Sequence, residues 1–362
     1  MGNIYWLASY PKSGNTWMRI LLTNYLRNAD EPADINTLDG GPIASARQIF
    51  DDNVGVEASD LTQDEIERYR PAVYEMISAQ ATEPLFLKVH DAYTYTPDGI
   101  PLISQAATAG VLYLIRNPLD VAVSFAHHSA STVERMVAKM GNPDFAFVDN
   151  PHRLHNQLRQ RLLTWSGHVT SWVDEPGLRV HVVRYEDMQA DPIATFGGVV
   201  RFCGLDDDPT RIAKAVDFSR FERVQAQEQA EGFGEKMPLA DSFFRSGQVG
   251  SWRAGMDEEL AAAFAHPIAD VFARWGEPAF REMERRLLHQ ALALPNRVIA
   301  LGGGAVLDPR SRAMLLERAR WVHLAVPAAE LLRRLGAVDP ARPLWNPEDL
   351  LRRLSERLSR SR

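Results

Sequence analysis

The 362-residue sequence predicts an α/β fold in which a parallel sheet is covered by helices on both faces. Three observations point there. Four short apolar runs, at residues 4–8, 85–89, 111–115 and 180–184, read as strands. Stretches with helical spacing of apolar residues lie between them, and strands that alternate with helices build parallel sheets. Every run also ends in polar or charged residues, and in such sheets ligands bind beyond the carboxyl ends of the strands.

The first run, Ile4 to Ala8, leads into Tyr10-Pro11-Lys12-Ser13-Gly14-Asn15-Thr16-Trp17, and residues 18–26 then take up helical spacing. A strand, a tight loop with a lysine and a helix opening on Ser and Thr make an anion cradle. Amide N–H groups at the helix start point outward with the positive end of the dipole behind them. Lys12 adds a mobile full charge. The loop is not the triphosphatase loop G-x-x-x-x-G-K-[ST]: its lysine precedes its glycine, and no glycine opens it. Ser13 and Thr16 suit phosphate oxygens, and the flat ring of Trp17 suits a stacked base.

Helical spacing returns at 64–80, 119–127 and 155–173. The second strand ends in Lys88-Val89-His90-Asp91. The third ends in Arg116-Asn117-Pro118, with Ser124 eight residues after the arginine, and the fourth in Tyr185-Glu186-Asp187. These four ends are expected to converge on one crevice. His127 and His128 are adjacent on a helix, point in different directions and read as non-ligands. Residues 222–255 show little periodicity and contain Arg245-Ser246-Gly247-Gln248-Val249-Gly250-Ser251-Trp252. Its glycines permit close backbone approach, and Arg245 offers a bidentate grip on an anion.

Hydrophobic residues make up 45% of the chain and charged residues 24%, the balance of an ordinary globular protein. The single cysteine, Cys203, excludes an internal disulfide and a cysteine-rich metal site; it reads as a buried helix end without a role. No basic flank precedes the first strand and no apolar run approaches the ~20 residues of a bilayer span, so a cytoplasmic protein without leader or membrane partner is expected. Net charge is −7, yet residues 281–362 hold sixteen arginines, no lysine and nine acids, a local +7 that points to a separate module. Those arginines lack an aromatic stacking platform, so no nucleic-acid partner is expected.

Together these residues resemble the sulfotransferases that use 3′-phosphoadenosine 5′-phosphosulfate (PAPS), over about residues 3–256. The family's 5′-phosphosulfate loop looks like Tyr-Pro-Lys-Ser-Gly-x-Thr-Trp, which residues 10–17 match throughout. Its 3′-phosphate block opens on Arg-Asn-Pro with a serine eight residues on, as at Arg116 and Ser124. Its third block, Arg-x-Gly-x-x-Gly-x-Trp, is met by Arg245, Gly247, Gly250 and Trp252, with Ser246 standing where the family has a basic residue. The Lys-x-His at Lys88 and His90 fits the family's catalytic histidine. The resemblance implies a P-loop-like three-layer sandwich, PAPS as co-substrate, a hydroxylated small-molecule acceptor and no metal requirement. It implies His90 as general base, Lys12 and the amides of residues 13–16 as stabilisers of the leaving phosphate, and Lys88 as an orienting or sulfonate-contacting group. It further implies Trp17, Tyr185 and Phe221 around adenine, with Pro11, Gly14 and Asn15 completing the loop. Residues 30–62 and 128–156 are expected to shape the acceptor pocket, and a homodimer is left open.

A second resemblance begins near residue 266. The segment Val298-Ile299-Ala300-Leu301-Gly302-Gly303-Gly304 looks like the triple-glycine stretch of shikimate kinases, and residues 276–284 and Arg342-Pro343-Leu344 are similar to two further motifs of that family. The resemblance implies shikimate-binding positions at Arg281, Gly302–Gly304 and Arg357, and the segment itself reads as two strands, at 297–301 and 321–326. No G-x-x-x-x-G-K-[ST] occurs anywhere in the chain, so no independent kinase activity is expected. The expected organisation is a sulfotransferase domain at 1–264 and an α/β shikimate-kinase-like appendage at 265–362. The alternatives are a small-molecule kinase of shikimate-kinase type and a nucleotide-binding protein without turnover.

Overall fold

The structure, a computed structural model, describes residues 2–150, 153–237, 242–256, 285, 288, 292 and 308–319. The chain divides into two units, Met1–Leu260 and Ala261–Arg362.

In the first unit, β1 (Ile4–Ser9) is followed by α1 (Asn15–Arg27), α2 (Arg47–Val54) and α3 (Gln63–Gln80). Next come β2 (Leu85–Val89), β3 (Thr108–Ile115), α4 (Pro118–His128) and α5 (Val133–Met140). Two short strands, β4 (Ala146–Phe147) and β5 (Gln160–Arg161), pair antiparallel before α6 (Trp165–Val173) and β6 (Val180–Arg184). The unit continues through α7 (Tyr185–Ala190), α8 (Pro192–Phe202), α9 (Pro209–Phe218), α10 (Phe221–Glu231) and α11 (Trp252–Gly255). Among the described residues of the second unit, Pro309–Arg318 forms a helix whose amino end is capped by Asp308, which accepts from the Ser311 amide at 2.8 Å.

The four long strands form a parallel sheet in the order β2-β1-β3-β6. Side chains alternate between its faces. Tyr5 and Leu7 face a core shared with Met18, Leu21, Phe196 and Val199, whereas Ile4, Trp6 and Ala8 face one shared with Tyr74 and Trp172. Helices α1 and α8 thus cover one face and α3 and α6 the other, which is the expected three-layer α/β sandwich. The chain leaves β1 for β2 on one side and then crosses to β3 on the other. That reversal opens a crevice at the carboxyl ends of β1 and β3, where ligands bind in such sheets.

The four strands lie where the apolar runs put them, with β3 starting three residues earlier. The helix expected over 155–173 forms only from Trp165. Leu158, Gln160 and Leu162 are buried and alternate with more exposed neighbours. That is a period of two, and Leu158 and Ala92 donate their amides to the carbonyls of Ser45 and Arg161 at 2.7 Å each. Conversely, the aperiodic stretch at 222–255 opens with α10, whose buried positions are Val224 and Glu228. Cys203 caps the end of α8 and is buried, as expected. Arg281, Gly302–Gly304, Arg342, Arg357 and the strands expected at 297–301 and 321–326 lie outside the described residues.

Candidate active site

The ends of β1, β2 and β3 and the start of α7 meet at one cavity of about 1440 Å³. The residues expected to bind PAPS or to act on the acceptor line it, except Ser13, which is buried in the loop; Gly250 and Trp252 of the glycine-rich block are not among the lining residues.

The loop after β1 is shaped by two left-handed residues, Lys12 at φ 69° and Gly14 at φ 101°. A Cβ on Gly14 would come within 2.8 Å of the Tyr185 ring, so glycine is required there for space as well as conformation. Asn15 locks the loop to its strand: its amide donates to the Leu7 carbonyl at 2.7 Å and the Ser9 hydroxyl at 3.1 Å. The buried Ser13 hydroxyl and the Arg116 Nε have no partner among the described residues. An unmade buried hydrogen bond costs ~1–3 kcal/mol, and these two donors beside a helix start fit an anionic ligand.

Lys12 lies over the Phe243 ring, with Nζ 3.8 Å from its centroid. Burial, reinforced by Lys88 and Arg116, pulls its ammonium down to about 7, although Glu235 and Glu228 work the other way.

His90 is oriented from behind. Its Nδ1 lies 2.9 Å from the Ser9 carbonyl, which only accepts, so Nδ1 carries the proton and Nε2 is left as the basic nitrogen. Its backbone carbonyl accepts from His168 Nε2 at 3.0 Å, and the Tyr113 hydroxyl lies 2.8 Å from His168 Nδ1. Asp91, the next residue, is gripped by Arg70 through two bonds of 2.8 and 2.9 Å, and its carbonyl accepts from the Trp172 indole at 2.9 Å. Burial first, then the Lys88 charge, holds the His90 imidazole down to about 3, while its bond to Ser9 opposes this. His90 is therefore neutral at pH 7, with Nε2 free of a proton.

Lys88 donates to Glu235 at 2.9 Å, and Glu235 also pairs with Arg19. Those two cations outweigh burial and hold the Glu235 carboxyl down to about 2. Lys88 itself is lowered, chiefly by burial.

At the other end of the cavity, Arg116 donates to the carbonyls of Lys12 at 3.3 Å and Gln248 at 3.2 Å and stacks 4.3 Å from the Tyr185 ring. Ser124 lies nearly two turns into α4 and is half-buried. Arg245 is exposed, and Ser246 and Gly247 carry the wall onward. A Cβ on Gly247, at φ 60°, would meet Phe221 at 2.6 Å. The Tyr185 hydroxyl donates to the Gly247 carbonyl at 2.8 Å. The Trp17 indole donates to the Ser219 carbonyl at 2.8 Å and meets the Tyr185 ring edgewise at 5.8 Å. Trp17, Tyr185 and Phe221 are thus held as fixed aromatic walls.

Two groups escaped the sequence reading. Asp120, buried in the first turn of α4, accepts from the amides of Gly250 at 2.8 Å and Trp252 at 2.9 Å and from the Ser251 hydroxyl at 3.2 Å. It fastens the glycine-rich block to the Arg116 block; its place four residues after Arg116 was the only available signal. Glu235 stands in the aperiodic stretch and gave none.

The sulfotransferase domain family matches residues 4–276, and the shikimate kinase family matches residues 253–362. Curated relatives of the carboxyl-terminal part are shikimate kinases. That of Streptomyces avermitilis is 43% identical over 102 residues, 28% of this chain and 58% of the relative. That of Streptomyces coelicolor is 39% identical over 111 residues, 30% of this chain and 64% of the relative. The chain spans little more than half the length of these relatives. Among solved structures, retinol dehydratase in a complex with retinol and PAP superimposes with a TM-score of 0.50 at 21% identity, covering 75% of this chain and 82% of that one. Mouse sulfotransferase SULT7A1 complexed with PAP gives 0.48 at 17%, covering 75% and 85%. The retinol dehydratase likeness speaks for the fold alone. With three quarters of its length matched, the chain belongs to the sulfotransferase domain family.

Proposed function

We propose that this protein moves a sulfuryl group from PAPS to a hydroxyl of a small-molecule acceptor. PAPS supplies an SO₃ unit on a phosphate leaving group. His90 Nε2 takes the proton that the acceptor hydroxyl loses as its oxygen bonds to sulfur. Lys12 and the amides of residues 13–16 meet the charge that grows on the departing phosphate oxygen as the sulfur–oxygen bond breaks. Arg116, Ser124, Arg245 and the backbone at Ser246 and Gly247 hold the 3′-phosphate, and Trp17, Tyr185 and Phe221 enclose the adenine. Lys88, paired to Glu235, orients the site around His90. The products are 3′,5′-adenosine bisphosphate (PAP) and a sulfate ester.

The observation that carries this reading is the His90 tautomer. A proton held on Nδ1 by Ser9 leaves a basic nitrogen in the cavity that also contains Lys12 and Arg116. Lys12 gains most from a bound anion, because its charge is otherwise poorly supported. The residues need no metal in the roles assigned here.

We take residues 1–264 as the transferase domain and 265–362 as a shikimate-kinase-like appendage that does not phosphorylate alone. No helix among the described residues is long and apolar enough to cross a membrane, and we place the protein in the cytoplasm. Calorimetry with PAP and with ATP plus magnesium tests the donor. Micromolar or tighter PAP binding is expected; ATP binding without PAP binding would refute the reading in favour of a kinase.

A further inference from the structure

Beyond His90 the cavity continues along a wall built from residues 42–57, α4 and residues 147–160. Its polar side chains include Arg47, Gln48, His128, Asn156, Gln157 and Gln160. Three of them bury a polar atom with no hydrogen-bond partner among the described residues, namely Arg47 Nη1, His128 Nδ1 and Gln160 Oε1.

Gln160 and Arg47 are each fixed by a hydrogen bond on the other side, and His128 by ring packing. Gln160, 0% exposed, donates its Nε2 to Gln157 Oε1 at 2.8 Å, which leaves its own oxygen as an acceptor. Arg47 Nε donates to the His155 carbonyl at 2.9 Å, which anchors the guanidinium and leaves Nη1 as a donor. His128 stands one helical turn after Ser124 and packs edgewise on Phe243 at 5.8 Å. Burial, then Lys12 and Lys88, pulls its imidazole down to about 4, so at pH 7 it is neutral and holds one donor and one acceptor nitrogen.

A donor, an acceptor and a group that can be both are the complement of hydroxyls, each of which donates once and accepts twice. The carboxylates of Asp51, Asp52 and Glu57 on the same wall oppose a polyanion. An apolar acceptor would leave the buried polar atoms unpaired, and sites built to hydrogen-bond a substrate reject analogues lacking the group by ~10⁴-fold or more. The Phe147 ring, held edgewise on Phe125 at 5.7 Å, supplies an apolar face for a ring's C–H surface.

We propose that the acceptor is a neutral, hydroxyl-rich ring, a glycoside or cyclitol, whose hydroxyls flanking the sulfated one pair with Arg47, His128 and Gln160. This rests on the sulfuryl-transfer reading above. The test measures PAP affinity of the full chain by calorimetry, then PAPS-dependent PAP release with a panel of neutral glycosides and cyclitols and with 2-naphthol. A polyol is expected to exceed 2-naphthol at least tenfold in kcat/KM. Gln160→Leu and the less buried Arg47→Met are each expected to raise the polyol KM at least tenfold with PAP affinity unchanged, which shows the site still folded. PAP binding with 2-naphthol preferred, with no polyol turned over, or with both variants at wild-type KM overturns the acceptor class and spares the donor. Absence of PAP binding overturns the donor reading, and this proposal with it.

Discussion

With PAP bound as proposed, Lys12 is expected to make the affinity depend on pH. In the free site burial and the cations Lys88 and Arg116 bring its ammonium down to about 7. A bisphosphate beside it favours the charged form and raises it again. Raising the pH strips the proton from the free site, that proton must be regained on binding, and affinity therefore falls. At pH 7.5 about a quarter of free Lys12 is charged, and at pH 9 about one part in a hundred. PAP affinity should drop about twentyfold between them, with about one proton taken up per PAP at the upper end. Phosphate monoesters lose their second proton with a midpoint near pH 6 and are almost fully ionised by pH 7.5, so the ligand adds little to this window. Calorimetry at pH 7.5, 8.25 and 9, each in two buffers of different ionisation enthalpy, reads the slope and the proton uptake. Lys12→Arg, whose guanidinium keeps its charge throughout, should flatten the dependence. A flat wild-type profile, or a slope that survives in Lys12→Arg, would show that Lys12 does not lose its proton in this range on the free site.

Three further outcomes follow from the same contacts. Arg70→Met should destabilise the protein by about 3–5 kcal/mol, because Asp91 is left buried without its cation; Arg70→Met with Asp91→Leu should recover part of it in urea unfolding. Asp120→Ala should weaken PAP binding at least about tenfold by freeing the glycine-rich block from α4, while Asp208→Ala, a helix cap on α9 remote from the cavity, should leave it unchanged. Glu235 has its carboxyl depressed from 4.5 to about 2, so its contribution is complete above the unfolded value near 4.5 and lost as pH falls through about 2. With the discount for partial exposure it amounts to about 1–2 kcal/mol. Glu235→Gln should therefore narrow the gap between the unfolding midpoints at pH 7 and pH 3.

What was legible in the sequence is what short stretches determine. Residues 4–17 encode strand, turn and helix start locally, and the same residues supply the anion-facing amides and Lys12. The polar ends of the strands converge because parallel pairing puts all their carboxyl ends on one edge. What escaped depends on distant partners. Asp120 meets Gly250 across 130 residues, and Glu235 meets Lys88 across 147. The helix expected over 155–173 failed because leucines at 158 and 162 satisfy helical spacing and strand alternation equally. Only pairing with Ser45 and Ala92 decides between them. The polar acceptor wall escaped for the same reason, since Arg47 and Gln160 become neighbours of one cavity only in the fold.

The role proposed for His90 is to remove the acceptor proton. Single-turnover transfer of ³⁵S from PAPS to an acceptor identified by the panel, compared in wild type and His90→Asn, tests it most directly. His90→Asn is expected to lose about 10²–10⁴-fold in the transfer rate with PAP affinity within a factor of two. Transfer by His90→Asn within threefold of wild type would contradict it.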